Sequence, residues 1–140
     1  MQSPACPRDE VQRLKALRAS HLLDTAPEEA FDDLTALAAQ VCHAPISLIS
    51  LVDDRRQWFK SKVGLTLTET SRDVSFCGHA ILQADIMVVP DAANDARFAD
   101  NPLVTGEPHV RFYAGAPLID PDGRRLGSRN RGRRSATGTG

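Results

Sequence analysis

The spacing of apolar residues shifts along the chain from helical to alternating, and the shifts mark out the elements. Val11, Leu14 and Leu17 fall at helical spacing, which predicts a short amphipathic helix over residues 9–19. A second helix is predicted from Thr25 to about Cys42. Thr25, with Pro27 in the first turn and Glu28 three residues on, reads as a capping box, in which hydroxyl and carboxylate each satisfy a free backbone N–H. Phe31, Leu34, Leu37, Ala38 and Val41 then recur on one face, expected to meet the core, and Pro45 prevents continuation.

The pattern then becomes extended. Residues 45–53 read as a buried strand, Asp53 to Arg56 as a turn and residues 57–64 as a return strand, which together make a hairpin. Alternation sends Trp58 and Phe59 to opposite faces of that second strand. Residues 71–83 place Phe76, Ala80 and Ile81 at helical spacing. Residues 86–91 read as a strand and residues 92–104 as a polar loop with a short helix around Arg97 to Ala99. Residues 109–120 read as a strand with Val110, Phe112 and Ala114 alternating, and Asp120-Pro121-Asp122-Gly123 is a turn. A partner strand starts at Arg124 to Gly127. From Ser128 onward the only apolar residue is Ala136, too little to offset the entropy of ordering, so residues 128–140 are expected to be disordered. The expected organisation is a disordered stretch at 1–8, one domain at 9–127 and a disordered tail at 128–140. Hairpins with a helix layer predict an α+β fold with an antiparallel sheet.

Composition narrows the class. The chain of 140 residues is one domain's worth, and 41% hydrophobic with 25% charged residues is ordinary for a globular protein. No apolar run approaches the roughly 20 residues of a membrane-spanning helix, and the N-terminus lacks a signal-peptide core; a cytoplasmic location without membrane association is expected. Cys6, Cys42 and Cys77 form neither a disulfide framework nor a CxxC pair, so no metal site is expected. The 17 basic residues include six arginines between Arg124 and Arg134, leaving residues 1–123 with 11 basic against 18 acidic side chains. An acidic body disfavours nucleic-acid binding.

Candidate chemistry is sparse. No GxGxxG, P-loop, HExxH or GxSxG is present. Cys77-Gly78-His79 is either a thiol activated by a nearby imidazole or a buried cysteine with a polar neighbour; two residues apart on a helix, the pair does not share a face. Asp91, Asp95, Arg97, Phe98 and Asp100 surround the loop helix, either as the lining of a ligand pocket, with Arg97 available to a carboxylate or phosphate, or as caps and surface ion pairs. Tyr113 is a candidate ligand contact if Phe112 faces the core, which would turn Arg111 with it to the pocket or solvent. Asp53 to Arg56 reads as a solvated hairpin tip. No cofactor is expected.

In order along residues 10–127, the segments LLDTAPEEAFDDLTALAAQVCHAPISLISLVDDRRQWFKSKVGL, SRDVSFCGHAI, MVVPDAANDARFADNPLV and VRFYAGAPLIDPDGRRLG resemble the GAF domains at the front of bacterial sensor histidine kinases and diguanylate cyclases. The resemblance implies a profilin- and PAS-like central antiparallel sheet, helices on one face and a ligand pocket on the other. Chromophore-bearing relatives often place His directly after the attachment Cys, whereas this chain has Gly78 there. The family also usually continues past the DPDG-type turn with apolar strands and a C-terminal helix leading to an output domain. Here that last strand and helix are expected to be missing or degenerate, which predicts marginal stability. The implied function is a regulatory module that binds a small molecule or relays a signal, with any kinase or cyclase activity in a domain this chain lacks. The alternatives are a free methionine sulfoxide reductase-like enzyme using Cys77 or Cys42, an interaction-only module forming a homodimer, or a non-functional gene fragment.

Overall fold

The computed structural model describes residues 2–134. Helices α1 (Glu10–Ala19) and α2 (Glu29–Val41) precede strands β1 (Ile46–Val52) and β2 (Arg56–Val63). Strand β3 (Glu69–Ser71), helix α3 (Phe76–Ala80), strand β4 (Met87–Val89), helix α4 (Pro102–Thr105), strand β5 (Val110–Ile119) and strand β6 (Arg125–Arg134) follow. The strands form one six-stranded sheet in the order β3-β2-β1-β6-β5-β4, and every neighbouring pair is antiparallel. This is the expected α+β architecture.

The main departure is β6. Residues 128–134 are the last part of a central strand, not a disordered tail, and residues 135–140 of that expected tail lie outside the described residues. Strand β6 pairs with β1 from Ile46↔Gly132 to Leu51↔Gly127, and with β5 from Val110↔Arg134 to Ile119↔Arg125. Its backbone groups are therefore satisfied on both edges, which an apolar count does not measure. Its side chains alternate strictly. Ser128, Asn130 and Gly132 are buried, while Arg129, Arg131 and Arg133 are exposed. Small residues suit the tight pairing: a Cβ on Gly127 would lie 1.9 Å from the Ser50 carbonyl oxygen. With a central strand in place, the physical ground for expecting marginal stability disappears for this part of the sheet.

The N-terminal stretch is also tied down. Gln2 N–H donates to the Arg97 carbonyl at 3.2 Å, and a Cβ on Gly78 would meet the Pro4 ring, so residues 2–8 run over α3 and are not a loose end. The helix limits shift as well. Thr25 does not cap α2: its hydroxyl donates to the Leu22 carbonyl and accepts from Lys60 Nζ, and the helix starts at Glu29. The expected helix over 71–83 contracts to a 3-10 turn at Arg72–Val74 and α3, which Ser75 caps by accepting from Gly78 N–H. In the 92–104 loop the short helices fall at Ala92–Asn94 and at α4, and Arg97 to Ala99 lie in a hydrogen-bonded turn in which Ala99 N–H donates to the Asp95 carbonyl at 2.8 Å.

The α1–α2 side of the sheet differs most from the apolar pattern. Leu14 and Leu17 of α1 pack on Leu51 with Trp58 and Leu126. The buried residue of α2 is Thr35, whose hydroxyl donates to Ser61 Oγ at 2.7 Å; Ser61 in turn donates to Asp32. Leu34, Leu37 and Val41, expected in the core, are instead 54%, 55% and 67% exposed. They lie to one side of the helix because a polar anchor, not their own burial, orients α2 on β1 and β2.

Candidate functional site

On the α3 side the sheet and its crossovers line a partly open cavity of about 50 Å³. Its walls are apolar: Phe59 from β2, Leu65 and Leu67 from the β2–β3 connection, Phe76 from α3, Leu103 from α4 and Tyr113 from β5. Its floor is polar and buried. Tyr113 OH donates to Asn130 Oδ1 at 2.5 Å, and Asn130 Nδ2 donates to Ser50 Oγ at 2.8 Å. Ser128 Oγ donates to the same Asn130 oxygen and lies 2.9 Å from Cys77 Sγ. Each strand contributes one alternating face, so Ser50, Tyr113, Ser128 and Asn130 converge from β1, β5 and β6. A network whose members are all satisfied is rigid, and loss of one member leaves a buried group unpartnered.

The sequence candidates separate into three groups. Tyr113 lines the cavity. Cys77, His79, Phe98 and Arg97 lie behind it. Phe98 is fully buried and stacks on Phe76 with centroids 4.1 Å apart and planes 5° apart. His79 meets the edge of Phe98 at 4.9 Å and its Nε2 lies 2.9 Å from the Gln2 carbonyl. Arg97 sits over the Phe98 ring at 5.0 Å and is paired with Asp95 at 2.9 Å. Asp91 stands apart, capping the Ala92–Asn94 turn by accepting from Ala93 N–H and the Asn94 amide. The described lining of the cavity thus includes neither Asp91, Asp95, Arg97, Phe98, Cys77 nor His79. Arg111 braces the crossover by donating to the Val104 carbonyl at 2.9 Å. Trp58 and Phe59 do part as alternation requires, Trp58 to the α1 cluster and Phe59 to the cavity.

Electrostatics match this packing. Burial pushes the Cys77 thiol up to about 12, against the opposing hydrogen bond with Ser128. Burial also raises the Tyr113 phenol well above its ordinary value and lowers His79, disfavouring the charged imidazole. The hydrogen bond from Arg97 holds the Asp95 carboxyl below the usual range. Burial thus favours the neutral thiol of Cys77, whereas nucleophilic and redox chemistry runs through the thiolate. In the native protein a thiol reagent is expected to modify exposed Cys6 while Cys77 reacts only after denaturation; mass mapping of labelled peptides reads both. Rapid native labelling of Cys77 would contradict its enclosure.

The sequence reading missed Ser50, Ser128 and Asn130. The available signal was the strict alternation of small polar residues with arginines from Ser128 to Arg133, a period of two without apolar residues.

Comparison with known proteins gives a consistent picture. A family model of the GAF domain matches residues 26–128. The cyclic di-GMP phosphodiesterase PA2567 of Pseudomonas aeruginosa is 44% identical over 128 residues, covering 91% of this chain and 22% of that protein, so the chain spans under a quarter of the relative's length. The GAF domain of the Acinetobacter phosphoenolpyruvate-protein phosphotransferase superposes with a TM-score of 0.59 at 16% identity, over 89% of this chain and 78% of that one. The free methionine-R-sulfoxide reductase of Neisseria meningitidis superposes with a TM-score of 0.61 at 17% identity, over 95% of this chain and 80% of that one. At such identities the structural likenesses establish the fold alone. Among the described residues no helix is long and apolar enough to cross a membrane, and no cluster of His, Cys, Asp and Glu could hold a metal.

Proposed function

Because the chain belongs to the GAF domain family, we propose that it is a regulatory sensory domain of a cytoplasmic signal-transduction protein, with its ligand space above Tyr113 and Asn130. The observation that carries this reading is a half-open apolar cavity resting on a satisfied polar floor, with the neighbouring thiol of Cys77 buried. A cavity of about 50 Å³ holds a few waters or a small solute. On this reading the chain regulates cyclic di-GMP turnover in a protein like its relative, and the hydrolysis belongs to a domain elsewhere. The ligand is small and mostly apolar, with one polar group able to reach Asn130. Binding favours one arrangement of the β2–β3 connection and α4, and that shift is what an output domain would read.

A heteronuclear NMR titration with a panel of small metabolites tests the proposal. Shifts centred on Leu65, Leu67, Leu103 and Tyr113 are expected for a binder, while a panel that perturbs only exposed residues elsewhere would count against this site. Tyr113→Phe removes one donor from the buried floor and is expected to cost about 1 kcal/mol in a denaturant melt. The reductase reading predicts turnover of free methionine sulfoxide with a dithiol reductant. None is expected, and a rate abolished by Cys77→Ser would reverse the assignment.

A further inference from the structure

We propose that a cleft between the N-terminal stretch, α1 and the start of β6 binds a small organic phosphate, with Arg8 and Arg125 holding the phosphate and Ile81 and Leu82 meeting the carbon body. The cleft shares no lining residue with the cavity over Tyr113. It is open to solvent on one side, and its volume of about 430 Å³ lies in the range of small-molecule sites. Its basic lining comes from three elements: Arg8 precedes α1, Arg13 lies on α1 and Arg125 begins β6. Pro7, Ile81 and Leu82 supply the apolar lining.

Charge in the cleft is unbalanced. Arg8 is exposed and, among the described residues, its side chain makes no ion pair or hydrogen bond. Arg125 is half-buried. Its Nη1 donates to the Ile81 carbonyl at 3.1 Å, and among the described residues no carboxylate lies within ion-pair distance of it. Behind them, fully buried Arg13 donates to Glu10 and to the Arg125 carbonyl. Glu10 also accepts from Arg72, so one carboxylate stands against two guanidinium groups. Asp9, the acid in the lining, is paired with Arg124 at 2.9 Å. Asp120 and Asp122 of the adjoining turn do not line the cleft. Unmatched cations beside an apolar wall focus a positive field that an anion relieves. A guanidinium fork matches phosphate oxygens. A tetrahedral phosphate offers oxygens to Arg8 and Arg125 together, whereas one planar carboxylate is filled by a single fork. The apolar wall favours an ester over the bare ion, because only the ester has carbon to bury.

Phenyl phosphate, inorganic phosphate and benzoate are titrated in turn into the isotope-labelled full chain and followed by NMR. Cys6 lies in the same lining and is exposed, so the rate of its alkylation, read by peptide mass, gives a second measure of occupancy. Phenyl phosphate is expected to shift the amides of Arg8, Leu82 and Arg125, to slow Cys6 alkylation and to bind more weakly as salt screens the charges. Inorganic phosphate and benzoate are each expected to bind about tenfold more weakly, one for want of the ring and the other for want of the second charge. Arg8→Ala and Arg125→Ala are each expected to weaken phenyl phosphate about tenfold, the loss of one charged hydrogen-bond donor. Arg18→Ala, at an exposed position in the last turn of α1 outside the cleft, is expected to leave binding unchanged. Should Arg125→Ala lose its folded circular dichroism spectrum, Arg8→Ala decides. A chain that phenyl phosphate leaves unperturbed, or one whose affinity is indifferent to Arg8→Ala, would overturn the site. Benzoate binding as tightly as phenyl phosphate would overturn the choice of phosphate, and inorganic phosphate doing so would overturn the part given to Ile81 and Leu82.

Discussion

Ending the chain after Gly127 is expected to abolish cooperative folding. Residues 128–134 hold Ser50 through Ile46 of β1 on one edge and Pro117 through Val110 of β5 on the other. Their loss would split the sheet into β3-β2-β1 and β5-β4 and expose backbone edges on both pieces. It would also remove Ser128 and Asn130, leaving Tyr113 OH and Ser50 Oγ buried without these partners. The full chain is expected to show a sigmoidal thermal transition with aromatic circular dichroism, and the shortened chain neither. A shortened chain that melts cooperatively at an unchanged temperature would mean that β6 contributes little to the fold.

Glu10→Ala is expected to be the most damaging single substitution at an ionised site. Glu10 bridges two buried cations. Its carboxylate accepts from Arg13 Nε at 2.8 Å and Nη2 at 3.2 Å, and from both terminal nitrogens of Arg72. Arg13, on the inner face of α1, is fully buried and Arg72 is 6% exposed. Removing the shared carboxylate strands both guanidinium groups, although each keeps a carbonyl acceptor, at Arg125 and Asp53 respectively. Breaking a buried pair costs about 3–5 kcal/mol, which for a domain of this size lowers the melting temperature by roughly 10 °C or more. Replacing Glu10 by Gln keeps the shape but not the charge, and is expected to recover only part of the loss.

The same bridge sets an acid limit. Partial burial alone would raise the Glu10 carboxyl, but the hydrogen bonds and charges of Arg72 and Arg13 outweigh it and bring it from 4.5 to about 2. A carboxyl that is a stronger acid when folded stabilises the fold fully above its unfolded value. That contribution, of order 3 kcal/mol, is lost as pH falls from about 4.5 toward 2. Denaturant melts across that range are expected to lose stability in the parent protein and to be flatter in Glu10→Ala. Parallel slopes would show that other carboxylates govern acid unfolding.

Residues 9–64 show how far local pattern carries. Two helices followed by a hairpin were legible because alternating and helical apolar spacing each report which side chains leave water, and Trp58 and Phe59 part as the pleat dictates. The α+β class followed from the order of those elements. The placement of α2 was not legible. Its leucines have the spacing of a core face, yet Thr35 and Asp32 make the contacts with Ser61 that fix which side meets the sheet. The thiol at Cys77 left two readings open in the sequence, and only its burial beside Ser128 separates them.

The amino-acid order by itself determined the apolar segments, the turns between them and hence the layered class, since these depend on neighbours a few residues apart. The tertiary structure alone decided that Ser128 to Arg134 is a central strand, that Glu10 joins two buried arginines, and that Asn130 floors a cavity. Each of those depends on a hydrogen-bonding partner distant in the chain. A polar group's partner cannot be read from its own surroundings in sequence, whereas an apolar side chain needs only to be kept from water.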